Sequence, residues 1–442
     1  MTTTIHAGTI LTLNAHDEVL TDAAIVVENG RIKSLHTGNE AETLITGDVV
    51  GGRDCVAMPG FVQTHVHLCQ TIFRGLADDL PLLDWLKQKI FPLEAAHDEQ
   101  SMYYSAMIGI AEMIRSGTTT ILDMGSINHE EEIIRAIHET GLRAFVGKAM
   151  MDVNELYPEF RESTKESLIS TRTLAERWHN TEGGRIRYAV APRFVLSCSD
   201  ALMKGAHEMT TSFPGMLFHT HASENTSEIA AVRARCKMEN VEYLHHLGLL
   251  SEKACLAHCI HLNDNEVDIL SQTRANVSHC PSSNLKLGSG IADIPRLMNR
   301  RINVSLGADG APCNNTLNMF QEMRLASLLQ KPRHGAATMP AKRAVEMATR
   351  NGARALGLAD EIGTLEPGKK ADIILLDLRD ISNPVVDELY SAIVYSCSAH
   401  CVDSVMIDGR WVYRNKAFLG LDPCELVGKA RVELHKLLHR VH

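Results

Sequence analysis

The chain has 442 residues, 45% of them hydrophobic and 22% charged, and 44 Lys+Arg against 54 Asp+Glu leave a net charge of −10. That balance is globular rather than disordered, and the acidic sum argues against the basic surface that nucleic-acid binding needs. No apolar run approaches the roughly 20 residues of a membrane span, so neither nucleic acid nor membrane is an expected partner.

The opening text, MTTTIHAGTILTLNAHDE, has no basic segment followed by an apolar core. It does not read as a secretory signal, and the cytoplasm is the expected compartment. The eleven cysteines are odd in number. Cys55, Cys198, Cys255, Cys259 and Cys280 sit inside apolar runs, as buried thiols of a reducing compartment would. Cys255/Cys259 and Cys397/Cys401 each show C-x3-C, but a structural zinc needs four ligands close in space, so none is expected there.

In chain order, residues 1–58 read as short strands joined by turns. HAGTILTL, AAIVVENG and RIKSLHTG alternate apolar and polar side chains around Gly and Asn. From 59 to 358 the text changes. Short apolar, β-branched runs at 61–67, 118–125, 143–151, 187–194, 217–224, 254–261, 276–284 and 303–310 alternate with amphipathic stretches such as MYYSAMIGIAEMIRS and EIAAVRARCKMENVEYLHHLG. Strand–helix alternation predicts a parallel sheet, and eight such units fit a closed (β/α)8 barrel. No G-x-G-x-x-G follows the first strand, which argues against an open dinucleotide-binding sheet. Residues 359–442 return to strand-and-turn text, with a short helical tail from about Asp422. Neither terminal piece carries enough apolar surface for its own core. The expected fold is α/β: a TIM-like barrel plus a small β-sandwich domain assembled from both termini, divided as 1–58, 59–358 and 359–442.

Polar residues cluster at the ends of the eight runs. The first ends in His65-Val66-His67, and alternate residues of a strand share a face. The fifth ends in His219-Thr220-His221 with Glu224 three residues on. The sixth holds His258, the seventh His279, and the eighth Asp309. The C-terminal strand ends of such a barrel converge on one face. Five strands therefore bring imidazole or carboxylate to one small volume, where separate satisfaction of each group is costly and a divalent cation satisfies them together.

The arrangement resembles the amidohydrolase superfamily over almost the whole chain. The motifs that carry the resemblance are MPGFVQTHVH, SGTTTILDM, HTHASEN, LAHCIHL, SHCPSSNLKLGSG and LGADGAPCNN. They are similar to those of aminohydrolases that deaminate purines and related heterocycles. The resemblance implies His65, His67, His221 and Asp309 as ligands of one divalent metal, Zn2+ or Fe2+. The bridging lysine of binuclear relatives has no counterpart in the fourth run, YAVAPRF. His219 competes with His221, but the H-x-x-E pattern of the family, met by His221 and Glu224, implies His221. Glu224 matches the carboxylate that shuttles protons, His258 the histidine beside the attacked carbon, and Asp309 can accept the proton of the attacking water. The family also implies a homo-oligomer.

The loop after the first run resembles that of deaminases acting on 5′-deoxyadenosine, methylthioadenosine and adenosylhomocysteine. There Glu94 matches a ribose-binding carboxylate, and Trp85 can stack on the base or close the loop. Two positions depart from the methylthioadenosine/adenosylhomocysteine branch. Arg193 stands where a histidine is usual, and Lys148 where an arginine is frequent. Arg193 and Gln70 also resemble the purine-reading pair of guanine deaminases. Met124, Met150, Met151 and Phe194 could wall the pocket or serve as core, and His279 and Asn284 lie near its rim. Cys313 has no base beside it and is no nucleophile. The expected activity is hydrolytic deamination of 5′-modified adenosines. Guanine or another aminopurine, or an s-triazine, is the alternative substrate.

Overall fold

The computed structural model describes residues 2–44, 48–379 and 388–441. The first four strands, β1 (Thr2–Leu11), β2 (Val19–Glu28), β3 (Arg31–Thr37) and β4 (Asp48–Pro59), join four from the end of the chain. These are β15 (Ile373–Asp377), β16 (Val402–Ile407), β17 (Arg410–Arg414) and β18 (Ala417–Phe418). Together they make one mixed sheet in the order β18-β17-β16-β15-β4-β1-β2-β3. The two halves meet at β4, which runs parallel to β1 and antiparallel to β15, with Met58 opposite Ile374. Ile5, Ile10, Ile25, Val50, Ile373 and Met406 form a core of residues from both halves, as the weak apolar content of each half demands.

Between these halves lie β5 (Phe61–His67), β6 (Thr118–Asp123), β7 (Arg143–Val146) with its continuation β8 (Ala149–Met150), β9 (Ile186–Pro192), β10 (Leu217–Ala222), β11 (Ala254–His258) and β12 (Asn276–His279). An eighth strand comes in two pieces, β13 (Val304–Leu306) and β14 (Asp309–Gly310). Every pairing is parallel. β13 pairs with β12 and β14 with β5, so the sheet closes on itself. Strands buried on both faces need continuous apolar or small residues, and β5, β6 and β11 are buried at every position.

Several strands are shorter than their apolar text. Ser223, His258, Cys259 and Asp309 adopt left-handed backbone conformations (φ 53°, 72°, 48° and 62°). These turn the chain away just where β10 and β11 end and where β14 begins. The seventh run is cut at His279 because Pro281 opens the helix Pro281–Lys286, where a ring-fixed φ suits the first helical turn. The stretch EIAAVRARCKMENVEYLHHLG forms two helices, Thr226–Cys236 and Asn240–His246, broken at left-handed Lys237. The tail helix Pro423–Leu438 starts at Asp422, whose carboxylate accepts the Cys424 and Glu425 N–H groups.

The barrel interior is layered. Val62, Leu122, Phe145, Ala189, Leu217 and Cys255, from six strands, pack on Ala353 and Leu356 of the segment that closes the bottom. Above them Thr64 Oγ1 bonds the Ser278 and Ser305 hydroxyls at 2.7 and 2.8 Å. The pairing of β5 with β6 then slips between Gln63 and Val66. Such a bulge re-aims the side chains beyond it, so His65 and His67 take over the inward face from Val62 and Thr64. Arg143, at the start of β7, joins barrel to sheet through Asp372, with Nε and Nη2 donating to its two oxygens at 2.8 and 2.9 Å.

Candidate active site

Three histidines and one aspartate converge above the hydroxyl layer. His67 Nδ1–H donates to the Met124 carbonyl at 2.7 Å, and His221 Nδ1–H to the Arg193 carbonyl at 2.8 Å. A carbonyl cannot donate, so Nε2 of each ring carries a lone pair aimed into the site. His65 Nδ1 meets His219 Nε2 at 2.9 Å. With the proton assigned to His65, its Nε2 is likewise a lone pair, buried and without a hydrogen-bond partner. Asp309 Oδ1 lies 3.3 Å from His65 Nε2 and 3.4 Å from His67 Nε2, and the Nε2 atoms of His67 and His221 are 3.3 Å apart. All four ligand atoms fall within 4.8 Å of one another. Acceptors this close, with no proton between them, repel. Tetrahedral ligands each about 2.0–2.1 Å from a zinc-like cation stand roughly 3.3–3.4 Å apart, so the donor set fits one divalent metal.

The surroundings keep these groups in ligating form. Burial holds the His67 imidazolium down to about 3 and lowers His65 and His221 as well, so the rings are neutral. Burial works against ionisation of Asp309, while the charge of the nearby His258 favours it. Ser283 Oγ donates to Asp309 Oδ2 at 2.6 Å. Gly307 lets the eighth strand lie against the first. A Cβ there would sit 2.6 Å from the His65 carbonyl oxygen and 2.9 Å from its Cβ. His219 supports His65 from below and stays outside the cluster, as the H-x-x-E spacing implied.

Glu224 and His258 stand beside the cluster. His258 Nδ1–H donates to Asn284 Oδ1 at 2.8 Å, and its Nε2 lies 3.5 Å from Glu224 Oε2 and 3.8 Å from Asp309 Oδ2. Burial, opposed by the charge of His258, pushes the Glu224 carboxyl up to about 7. Burial opposes protonation of His258, yet Glu224 and Asp309 raise it on balance. Glu228 accepts the Glu224 N–H at 2.8 Å and closes a capping box with Asn225. The sequence reading passed over Glu228, although its N-x-x-E spacing is a helix-start signal.

A small space of about 30 Å³ opens above these groups. Its polar wall is His67, Gln70, Arg193, His221, Glu224, Glu228 and Asp309, and its apolar wall is Leu82, Trp85, Leu86, Phe194 and Leu287. Gln70 Oε1 and Trp85 Nε1 are buried there without partners. Glu94 is brought close but stands behind the lining. Arg193 Nη1 and Nη2 donate to its two oxygens at 2.7 and 3.0 Å, and Gln70 Nε2 adds a bond at 2.7 Å. Lys148 does not reach the cavity; its ammonium pairs with Glu162. His279 is buried with both ring nitrogens unpartnered, outside the lining. Leu82 and Leu86 entered the sequence analysis only as part of the loop text and Leu287 not as a lining residue, since nothing there separates a cavity-lining leucine from a core one. A wider cleft at the sheet, lined by Arg31, Arg185, Lys370, Asp408 and Trp411, holds none of the groups around the metal cluster.

A closed parallel barrel with three histidines and an aspartate converging at its carboxyl end defines a metal-dependent hydrolase. The chain belongs to the amidohydrolase family, whose model matches residues 56–412. It is 37% identical over 431 residues, 97% of each chain, to a 5-methylthioadenosine/S-adenosylhomocysteine deaminase of Syntrophomonas wolfei. It is 39% identical over 396 residues, 89% of each, to a 5′-deoxyadenosine deaminase of Methanothermobacter thermautotrophicus. The crystal structure of an adenosine deaminase from Xanthomonas campestris with bound zinc superposes with a TM-score of 0.93 at 30% identity, covering 99% of this chain and 98% of that one. No helix among the described residues is long and apolar enough to cross a membrane.

Proposed function

We propose that the protein is a mononuclear metal-dependent deaminase of 5′-modified adenosines (5′-deoxyadenosine, methylthioadenosine, adenosylhomocysteine), releasing the inosine analogue and ammonia. The observation that carries this reading is the four-residue donor set with Glu224 and His258 beside it, of which His67, His221, Asp309 and Glu224 line one buried space. The names of the relatives supply the nucleoside class. His65, His67, His221 and Asp309 would hold one Zn2+ or Fe2+, which acidifies water and acts as a Lewis acid. Asp309 takes the proton of the attacking water. Glu224, whose carboxyl burial pushes up, delivers its proton to the ring nitrogen beside the attacked carbon, and the proton that Asp309 took from the water then passes to the amino group, by way of the emptied Glu224 carboxylate, as it leaves as ammonia. His258, oriented by Asn284, donates through Nε2 to the oxygen of the tetrahedral adduct when protonated.

Gln70, Arg193 and Trp85 are the substrate contacts in this reading. Glu94 acts through Arg193 rather than on the ribose, and Lys148 and His279 act at a distance. A guanine-type aminopurine is the second reading, favoured by Gln70 Oε1 and the Arg193 guanidinium, an acceptor and a donor side by side in the lining. The protein is placed in the cytoplasm as a homo-oligomer, with segments 1–58, 59–358 and 359–442 as its units. The test is ammonia release from the three adenosines, adenosine and guanine by metal-loaded protein and by Glu224→Gln. Release from the adenosines, reduced roughly 100- to 10,000-fold in the variant at unchanged metal content, is expected. Release from guanine alone would overturn the nucleoside assignment.

A further inference from the structure

The motif SGTTTILDM carries a carboxyl group, Asp123, that the proposed chemistry does not use. Asp123 is the last residue of β6, is fully buried and stands opposite Val66 of β5. Its Oδ1 accepts the Leu68 N–H at 2.8 Å. Leu68 opens the short helix Leu68–Phe73, and His67, at the position before it, offers no side-chain cap. The first N–H groups of a helix have no acceptor within it. A buried one needs a partner from elsewhere, and Asp123 supplies it across the sheet. The next residue of the same strand end holds this stretch twice more. Met124 N–H donates to the Val66 carbonyl at 2.9 Å, and the Met124 carbonyl accepts from His67 Nδ1 at 2.7 Å. Val66, His67 and Leu68 are thus each fastened to the end of β6, the last of them through a side chain.

From this geometry we infer that Asp123 is a positioning residue for the metal: by anchoring the Leu68 N–H it fixes where His67 Nε2 stands, and so how tightly the ion is held. The inference deepens the reading above and rests on its metal donors, not on the identity of the substrate. Without the anchor the helix Leu68–Phe73 loses this tie to β6, and the His67 ring keeps its Met124 bond only by straining against a shifted backbone. Gln70, on the same helix and in the lining of the site, shifts with it. Two other donors are held from different elements, His221 by the Arg193 carbonyl and Asp309 by the Ser283 hydroxyl, so the damage falls on His67. Groups that orient a metal-bound imidazole typically change metal affinity 10- to 100-fold when removed, roughly speaking. Burial pushes the Asp123 carboxyl up, but a carboxyl group has an accepting oxygen whether ionised or not. A neutral amide with its oxygen toward Leu68 therefore serves the same purpose.

The experiment measures Zn2+ affinity of the full chain and of Asp123→Leu and Asp123→Asn by competition with a chromophoric chelator. The visible spectrum of each Co2+ form and the Tm of each metal-free protein are recorded alongside. Leucine has nearly the shape of aspartate and no acceptor, whereas asparagine keeps an acceptor oxygen. Zn2+ binding is expected to weaken about 10- to 100-fold in Asp123→Leu, with an altered Co2+ spectrum, and to stay within about 3-fold of the native value in Asp123→Asn. Asp123→Ala removes the same acceptor without adding bulk and takes the place of the leucine variant if that chain does not fold. A leucine or alanine variant that melts lower yet binds Zn2+ as the native chain does, with an unchanged Co2+ spectrum, would overturn the inference, because the carboxyl group would then serve stability alone. So would an Asp123→Asn chain that binds as weakly as Asp123→Leu. A native chain that binds no Zn2+ or Co2+ would instead refute the metal reading, and this inference with it.

Discussion

Replacing Glu94 by Gln separates a carboxylate that holds the ribose from one that holds Arg193. The Glu94 and Arg193 side chains are 0% and 3% exposed, joined by two N–H···O bonds, with Gln70 adding a third to the carboxylate. Glu94→Gln leaves the guanidinium buried without its counter-ion. Breaking a buried pair from one side costs about 3–5 kcal/mol. An unfolding entropy of about 2.1 cal/mol/K per residue gives roughly 0.9 kcal/mol/K for this chain, so Tm should fall by about 3–5 °C. Arg193→Met should cost a similar amount. The double variant should lose about 2–4 kcal/mol less than the sum, because neither charge is then stranded. The assay is urea and thermal melting of the metal-loaded variants, with kcat/KM on 5′-deoxyadenosine and on its analogue lacking the ribose hydroxyls. Both substrates should lose efficiency alike. Unchanged melting, additive variants, or a loss confined to the hydroxyl-bearing substrate would refute the positioning role.

Other consequences are as direct. Metal analysis should find one ion per chain. Metal at 100 times its Kd should stabilise the protein by about 2.7 kcal/mol, a rise of roughly 3 °C read by thermal scanning with and without chelator. Gly307→Ala should push His65 out of place and weaken metal binding roughly 10- to 100-fold, measured by competition with a chromophoric chelator. Asp372→Asn leaves Arg143 only the longer pair with Asp408, 3.6 Å away, and should lower Tm by about 3 °C or less with KM unchanged. Glu322, which accepts from Ser282 and Asn314, is pushed up to about 7 by burial. The folded state thus keeps a proton that the unfolded chain gives up above about pH 4.5. Its contribution, roughly 3 kcal/mol, is complete below that value and lost as pH rises through about 7. Denaturant melts across this window should show the slope, and Glu322→Gln should flatten it.

The barrel was legible because it depends on spacing, and the resemblance to the amidohydrolase motifs singled out its metal donors. Eight apolar runs marked the strands, and H-x-H put His65 and His67 on one face wherever that face pointed. The direction itself was not legible. Strict alternation from the inward Val62 would send both imidazoles outward, and the bulge that reverses this rests on hydrogen bonds to a neighbouring strand. Strand ends failed for a similar reason. Left-handed turns at Ser223 and His258 are set by how neighbouring loops pack, and neither residue type announces them. Glu94 was legible as a loop carboxylate, but its buried pairing with Arg193 was not. Its partner Arg193 lies on another strand's loop, and pairing across such a gap leaves no local pattern. The pairing of Lys148 with Glu162 was hidden likewise.

The sheet built from both ends of the chain governs the order in which the protein can be made. β4 needs β15 on one side, and Met58 finds Ile374 only after the whole barrel has been synthesised. β5 likewise waits for β14. A nascent chain therefore carries two unsatisfied strand edges through most of translation, each a template for wrong pairing. Contacts so distant in sequence form slowly. Refolding from denaturant should be slow and sensitive to concentration, and a stall late in synthesis should leave an aggregation-prone chain even though most of its residues have already emerged.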